Sequence, residues 1–204
     1  GSGPDADYSL VSGTLSFDEN NEVRNIPLVI HDDKIVNEGF ETIVISLTNP
    51  TNGAVLGTKV FTYTIEDNEQ EVIFVNQNTP CTGDECNGTS WDKAFHHPQE
   101  AINIVNETKD EIWVAKGSYK LLSGLGGPVL NINTNQDIKL YGGFIGNERK
   151  REERNYTNNV TLIDAQKRYS ILWSSATGYD VSIDGFQFAN DDLPVYNRSL
   201  NFYN

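Results

Sequence analysis

The stretch Asp110-Glu111-Ile112-Trp113-Val114-Ala115-Lys116-Gly117-Ser118-Tyr119 contains a short apolar run that decides the fold of the second half of the chain. Similar strand-like runs follow at residues 138–141, 160–163 and 181–183. Counted from Ile112, their first residues are 26, 22 and 21 positions apart (138 − 112, 160 − 138 and 181 − 160). This spacing predicts a solenoid of units of about 20 residues or more, in which each strand stacks on its equivalent in the next coil. A compact α+β domain without a repeat is the alternative.

The segment before this stretch predicts one strand and one helix. Residues 72–75 form a continuous apolar run typical of a buried strand. Residues 90–105 predict a helix with Ser90 as its N-cap, and Pro98 is compatible with the first turn of a second helical segment. The expected apolar face consists of Ala94, Phe95, Ala101, Ile102 and Val105.

The first seventy residues alternate in hydrophobicity with a period of two. Four runs show this pattern, at residues 14–17, 23–30, 43–47 and 60–65, and Asn, Asp, Gly and Pro fill the turns between them. We therefore expect half-buried antiparallel strands and no helix in this part of the chain.

Cys81 and Cys86 are five positions apart in a polar loop that contains Gly83. A loop of this kind brings two sulfur atoms together, so we expect a disulfide, which fits an oxidising compartment. Two free thiols, or half of a zinc site, are the alternatives. A zinc site would need two further ligands, and the histidines that could supply them are His31, His96 and His97.

The charge of the chain excludes some partners. Fifteen Lys and Arg stand against 29 Asp and Glu, a formal net charge of −14. Such a surface repels nucleic acid and anionic lipid and attracts cations. No apolar run approaches the roughly 20 residues that cross a bilayer, and no signal segment opens the chain. We expect a soluble fragment of a longer protein, without membrane insertion.

Residues 5–69, approximately, resemble the later part of a Calx-beta domain. The matching pieces are Asp7-Tyr8-Ser9-Leu10-Val11-Ser12-Gly13-Thr14-Leu15-Ser16-Phe17, Ile30-His31-Asp32-Asp33, Glu38-Gly39-Phe40-Glu41, Leu47-Thr48-Asn49-Pro50, Gly53-Ala54-Val55-Leu56-Gly57 and Ile65-Glu66-Asp67-Asn68. The resemblance implies a partial immunoglobulin-like sandwich over residues 1–69. The family's early strands are missing, so another segment, another chain or packing on the next domain must replace them.

Residues 70–204 resemble the N-terminal cap and first coils of right-handed parallel β-helices in large bacterial surface proteins. The matching pieces are Asn87-Gly88-Thr89-Ser90-Trp91-Asp92-Lys93-Ala94, Ala101-Ile102, residues 110–119, Leu140-Tyr141-Gly142-Gly143-Phe144-Ile145-Gly146-Asn147-Glu148 and Ile183-Asp184-Gly185-Phe186-Gln187-Phe188. The resemblance implies that the helix covers the open end of the solenoid. The expected fold class is therefore all-β, a partial Calx-beta sandwich followed by a helix-capped parallel β-helix.

The Calx-beta resemblance also implies a calcium site. Members of that family that bind calcium hold it with carboxylates from several loops at one end of the sandwich, and hard oxygen ligands suit Ca2+. The matching positions in this chain are Asp7, Asp33, Glu38, Asp67, Asn68 and Glu69. Solvated acidic loops without a metal are the other interpretation.

Together these features predict a non-catalytic structural or adhesive segment of a secreted or cell-surface bacterial protein. Its expected partners are glycans or other cell-surface protein segments. A polysaccharide lyase or glycosidase with a calcium-binding accessory module is the alternative, because β-helices host both functions. Acids that could share an exposed face of such an enzyme are Asp164, Asp184, Asp191 and Asp192.

Three aromatic residues could stack against sugars if they were exposed: Trp113, Tyr141 and Trp173. The sequence leaves open whether they are exposed or buried. We expect no catalytic role for His96 and His97, because no nucleophile or carboxylate lies at a recognisable spacing. The mixed-charge run 150–154 predicts a solvated loop.

Overall fold

The structure is a computed structural model, and it describes residues 6–20, 22–32, 35–66, 69–121, 127–166, 172–174, 178–190 and 196–202. Strands predominate and helices are short, which confirms the all-β class at this level. The chain divides into two compact units, Gly1–Asn68 and Glu69–Asn204. Across the described ranges, no helix has the length and apolar character needed to span a membrane.

The first unit contains two separate antiparallel strand pairs. Strand β1 (Tyr8–Ser9) pairs with β2 (Val29–Ile30), and β3 (Glu41–Ser46) pairs with β4 (Val60–Ile65). In the second pair Ile43 lies opposite Tyr63, and Ile45 lies opposite Phe61. Residues directly opposite each other share a face of the sheet, so this pair has one apolar face.

Two strands predicted for this unit are wrong or too long. Residues 14–17 form no strand, and only Val29–Ile30 of the predicted run 23–30 is one. Alternating hydrophobicity specifies which face a strand would bury, but a strand also needs a neighbour for its backbone groups. Here the two segments are linked through a side chain instead, since the Arg24 guanidinium donates to the Ser16 carbonyl.

The first unit buries little apolar surface. Among its described residues, Ile35 and Ile43 are the buried apolar side chains. Phe61 and Tyr63 on the apolar face of β3 and β4 remain 56% and 50% exposed. Exposed aromatic side chains on a sheet face contribute little to stability, because the hydrophobic effect requires their removal from water.

The second unit contains nine strands and one short α-helix in its described residues. The strands are β5 (Val72–Val75), β6 (Glu111–Ala115), β7 (Gly117–Lys120), β8 (Leu130–Ile132), β9 (Ile138–Phe144), β10 (Thr161–Asp164), β11 (Leu172–Ser174), β12 (Val181–Ala189) and β13 (Tyr196–Phe202). The α-helix is α1 (Pro98–Ile102), and short 3-10 turns cover Gly83–Glu85, Trp91–Lys93 and Arg151–Glu153.

The strands of this unit pair mostly in parallel, in three ladders. The first ladder has the order β5, β6, β9 and β12, with Phe74, Trp113, Tyr141 and Asp184 aligned across it. In the second ladder the later part of β12 pairs with β10, and β10 pairs with β7. The third ladder joins β8 to β11. Strand β13 is the exception, because it pairs antiparallel with β12.

The strand at residues 160–163 does not continue the ladder that was predicted for it. The neighbour of β9 is β12, whereas β10 belongs to the second ladder. Starts of neighbouring strands in the first ladder therefore differ by 27 residues between β6 and β9 (138 − 111) and by 43 between β9 and β12 (181 − 138). Consecutive strands such as β6, β7 and β8 belong to different ladders. Because the strands of different ladders have similar apolar patterns, their spacing in the sequence could not show which ladder each strand joins.

Alternate residues of these strands form one apolar core. From the first ladder it takes Ile73, Val75, Ile112, Val114, Ile138, Leu140, Val181 and Ile183. Strands β7, β8 and β10 add Tyr119, Leu130, Ile132 and Ile163. Ala101 and Ile102 of α1 belong to the same core, so the helix packs against the apolar interior between the ladders.

The predicted helix over residues 90–105 is much shorter in the structure. Ser90 precedes only a 3-10 turn, and its side chain makes no capping hydrogen bond. Ala94 and His97 have extended backbone angles, so the chain straightens before α1 begins at Pro98. The straight segment pairs with β5, and that pairing outweighs helix propensity because tertiary contacts override a weak local preference.

Candidate functional site

The six residues of the predicted calcium site are only partly described. Asp33, Asp67 and Asn68 lie outside the described residues. Asp7 lies just before β1, where its carbonyl oxygen accepts a hydrogen bond from the His31 backbone N–H at 2.8 Å. Glu38 precedes β3, and Glu69 is the first residue of the second unit.

The described part of the chain holds no group of three or more His, Cys, Asp or Glu side chains that could bind a metal. The described carboxylates of the predicted set, Asp7, Glu38 and Glu69, therefore do not by themselves make a calcium site. A full set would need the oxygen atoms of Asp33, Asp67 or Asn68, because Ca2+ takes six to eight ligands. Calcium binding stays a prediction.

Cys81 and Cys86 form a disulfide, with their Cα atoms 5.4 Å apart. Metal binding requires free thiolates, so the zinc alternative and the free-thiol alternative are both wrong. The Thr79 hydroxyl lies 3.5 Å from Cys81 Sγ and donates to the carbonyls of Trp91 and Asp92 at 3.2 and 3.1 Å. The cystine loop is thereby fastened to the segment that follows it.

That following segment, residues 88–95, covers the outer edge of β5. The Phe74 N–H donates to the Gly88 carbonyl at 2.9 Å. The Phe95 N–H donates to the Phe74 carbonyl at 2.9 Å, and the Asn76 N–H donates to the Phe95 carbonyl at 2.8 Å. An open strand edge invites pairing with other chains, so these bonds protect the first strand of the ladder.

Gln99 covers a second edge with its side chain. Its Nε2 donates to the Asn131 carbonyl at 3.0 Å, and its Oε1 accepts from the Asn131 N–H at 2.7 Å. Asn131 is the central residue of β8, which lies at the edge of its ladder. A side-chain amide carries the same donor and acceptor as a peptide group, so Gln99 acts as one residue of a neighbouring strand.

His97 begins α1 as its N-cap. Its Nδ1 accepts a hydrogen bond from the Gln99 N–H at 3.1 Å, and the Glu100 carboxylate accepts from the His97 N–H at 2.8 Å. The ring lies edge-on to Tyr119, with centroids 6.1 Å apart. Burial lowers the pKa of His97, against the opposing effects of the Lys120 backbone and Glu100. The sequence analysis considered His97 as a possible zinc ligand and expected no catalytic role for it, whereas in the structure it caps α1.

A layer of aromatic rings covers the side of the first ladder that faces away from the apolar core. This outer aromatic face consists of Phe74, Trp91, Trp113 and Phe144. Trp113 stacks on Phe144 with centroids 4.7 Å apart and 10° between the planes, and Phe74 lies 4.7 Å from Trp91. Trp113 is 1% exposed, so it is not available to stack against a sugar.

The polar groups around this face are satisfied. Trp113 Nε1 donates to the buried Glu111 carboxylate at 2.7 Å, and Arg151 pairs with the same carboxylate at 3.3 Å. Trp91 Nε1 donates to the Glu148 carbonyl at 2.8 Å. The Glu148 carboxylate accepts three backbone N–H groups, from residues 145, 146 and 147, at 2.6 to 3.1 Å.

Arg151 and Arg154 also cover the ring of Tyr141, with their guanidinium carbons 4.8 and 4.9 Å from its centroid. The run 150–154, predicted as a solvated loop, has Glu152 and Glu153 exposed, and its two arginines also contact neighbouring groups. Its arginines lie on a partly buried ring and pair with acids, which stabilises the loop through cation–π and ionic contacts. The side chain of Trp173 lies outside the described residues.

The candidate catalytic acids have ion-pair partners where they are described. Asp164 lies 3.8 Å from Lys120 Nζ and accepts the Gln166 N–H at 2.9 Å. Asp184 pairs with Arg154. Asp191 and Asp192 lie outside the described residues.

Neither Gln99 nor Glu148 was recognised from the sequence. A lone Gln next to Pro98 carries no signal that its amide faces another strand. The Gly-rich turn before Glu148 is a weak signal, since closely spaced N–H groups favour a carboxylate.

No protein-family model, no curated protein and no solved structure matches this chain.

Proposed function

We propose that the chain is a structural or adhesive segment of a secreted or cell-surface bacterial protein, which extends that protein or presents a binding surface. The observation that carries the proposal is a ladder of parallel strands whose first edge is covered from within the chain. Such a ladder can lengthen by adding coils, while its covered edge does not recruit other chains.

The three parallel ladders support a right-handed parallel β-helix for residues 70–204, with α1 and residues 88–95 as its N-terminal cap. A turn of such a fold supplies one strand to each ladder, as β6, β7 and β8 do here. For residues 1–69 we propose a partial Calx-beta sandwich. The small core around Ile35 and Ile43 supports the idea that further strands come from another segment or chain.

The disulfide between Cys81 and Cys86 supports an extracellular location, because such bonds persist in oxidising compartments. Glycans or other surface-protein segments are the partners that we propose. Calcium belongs to the same proposal, with the described ligands Asp7, Glu38 and Glu69 completed by Asp33, Asp67 and Asn68.

The test separates a binding segment from a polysaccharide-degrading enzyme. The chain is incubated with acidic and neutral polysaccharides and assayed for reducing ends and unsaturated products, and in parallel it is applied to a glycan array. We expect no turnover, and retention on the array would identify an adhesin. Turnover that disappears in Asp164→Ala or Asp184→Ala would overturn the proposal, and the matched control is Asp137→Ala.

A further inference from the structure

The chain contains two Asn-Gly sequences, Asn52-Gly53 and Asn87-Gly88. Both glycines have a positive φ, 74° at Gly53 and 76° at Gly88, which glycine adopts at little steric cost. The two dipeptides therefore share their chemistry and the conformation of their glycine. They differ in what surrounds them.

Asn52-Gly53 forms the centre of an exposed turn between β3 and β4. The Ala54 N–H donates to the Thr51 carbonyl at 3.1 Å and closes the turn. In the described residues no hydrogen bond holds the Asn52 side chain or the Gly53 N–H. A Cβ atom placed on Gly53 would meet nothing within 4 Å. One hydrogen bond therefore opposes a change in the backbone angles of Asn52 and Gly53, and the space beside Gly53 is open.

Asn87-Gly88 is held on every side. Asn87 Oδ1 accepts hydrogen bonds from the Thr89 N–H at 3.2 Å and from the Thr89 hydroxyl at 2.7 Å. The Gly88 N–H donates to the Lys93 carbonyl at 2.8 Å. A Cβ atom on Gly88 would lie 2.7 Å from side-chain atoms of both Ile73 and Phe95. The amide nitrogen and the Asn side chain cannot approach each other without the loss of these contacts.

We propose that Asn52 is a site of spontaneous deamidation in the folded protein and that Asn87 is protected. The Gly53 backbone nitrogen attacks Asn52 Cγ, the new N–Cγ bond forms, and the Cγ–Nδ2 bond breaks. Ammonia leaves and carries away the proton of the Gly53 nitrogen, so a succinimide remains. Water then opens the ring at either carbonyl and gives aspartate or isoaspartate, with no oxidant or cofactor.

The product changes the charge of the first unit. Residues 1–68 contain 11 Asp and Glu and three Lys and Arg, so each event adds one negative charge to an already acidic unit. The isoaspartate form also lengthens the backbone by one methylene group within the turn. Both changes fall in the connection between β3 and β4, away from the hydrogen bonds of the strand pair itself.

The experiment follows both sites in the same sample. The folded chain is incubated at mildly alkaline pH and physiological temperature, and peptide mapping by mass spectrometry measures the conversion of each Asn. Isoaspartate is detected by enzymatic methylation. We expect conversion at Asn52 to be faster by about tenfold or more, because attack at Asn87 must first break three hydrogen bonds. Asn52→Gln should abolish the isoaspartate found in the peptide that contains residue 52.

Unfolding the chain in denaturant supplies the matched control, because it removes the surroundings and leaves the two dipeptides. There both sites should convert at similar rates. Equal deamidation rates at Asn52 and Asn87 in the folded chain would overturn the proposal. A rate difference that persists in denaturant would also overturn it, since sequence rather than structure would then be the cause.

Discussion

The side-chain amide of Gln99 and the peptide group of Asn131 form a closed pair of hydrogen bonds of 3.0 and 2.7 Å. A residue in the first turn of a helix thereby makes the two hydrogen bonds that a residue of a neighbouring strand would make. Among the described residues no strand lies along the edge of β8 that faces away from β11, and Gln99 covers that edge instead, which the apolar pattern of the sequence could not reveal.

Replacement of Gln99 should expose this edge. In Gln99→Ala the Asn131 N–H loses its partner, and we expect its hydrogen-exchange protection to fall by about fivefold, as the loss of a hydrogen bond worth about 1 kcal/mol implies. The measurement is exchange followed by NMR. Asn103→Ala is the matched control, because it removes the other contact of Gln99, at 2.9 Å, and leaves the pair with Asn131. Unchanged protection at Asn131 in Gln99→Ala would contradict the edge-covering role.

The stability of the cap should decrease in mild acid. The pKa of His97 is lowered from its ordinary value of 6.5 by burial, so the unfolded chain binds the proton more tightly than the folded chain does. The stabilisation is complete above pH 6.5 and is lost as the pH falls from there to the pKa of the folded state. Thermal unfolding across this range should show the loss in the wild type and less of it in His97→Asn, which keeps an N-cap side chain. His96→Asn serves as the control, and an identical pH dependence in His97→Asn would refute the assignment.

Loss of the disulfide should destabilise the second unit. The bond between Cys81 and Cys86 closes a short loop, and the chain-entropy model assigns such a loop about 2 kcal/mol. We expect the Cys81→Ser, Cys86→Ser double variant to unfold at lower urea concentration than the wild type. Reductant should lower the wild type to the same midpoint and leave the double variant unchanged. A thiol assay that finds free sulfhydryls in the denatured, unreduced wild type would show that the bond is absent.

The outer aromatic face should contribute strongly to stability. Trp113→Ala removes a buried ring and its stacking on Phe144, which should cost about 3 to 5 kcal/mol. Trp113→Phe keeps a ring but loses the hydrogen bond to Glu111, so its effect should be smaller. Denaturant unfolding measures both. Tyr156→Ala, at a residue that is 56% exposed and loses only the contact of its ring with Arg154, should cost less than Trp113→Ala. A Trp113→Ala variant as stable as Tyr156→Ala would show that the ring is not packed as described.

Calcium, if the proposed site forms, should raise the melting temperature, because a ligand that binds only the folded state stabilises it. Asp67→Ala should abolish the shift, whereas Asp137→Ala in the second unit should preserve it. Isothermal titration with Ca2+ gives an independent measurement. Absence of heat at millimolar Ca2+ would leave the first unit without a calcium function.

The sequence predicted the strand content well where strands are both apolar and paired. Residues 72–75, 112–114, 138–141 and 181–183 all lie in strands, because a buried parallel strand requires a continuous apolar run. It failed at residues 14–17, which alternate correctly but pair with no strand in the described part of the chain. It also failed for residues 90–105, where pairing of Phe95 with β5 replaces helical bonds. Secondary-structure propensity describes a segment in isolation. Both errors arise because the structure of a segment also depends on the strands that are available to pair with it.

The candidate site was less predictable than the strands. The cystine loop could be read from Cys81, Cys86 and the Gly between them, since proximity in sequence implies proximity in space. The burial of Trp113 could not be predicted from the sequence. The side chains of Glu111, Trp113 and their neighbours would alternate between the two faces of the strand in the same way if the outer face were exposed. The cover over Trp113 comes from Phe144 and the loop after it, more than thirty positions further along the chain.

Neighbouring strands of the first ladder are separated by 27 residues in one turn of the chain and by 43 in the next, yet both pairs keep a parallel register. The 16 additional residues (43 − 27) are accommodated without displacing the strand that follows, and residues 145–154 of that turn carry the Glu148, Arg151 and Arg154 contacts. The parallel pairing of the strands therefore does not fix the length of the chain that joins them. A peptide grafted into the loop between β9 and β12 should accordingly leave the register of the ladder unchanged.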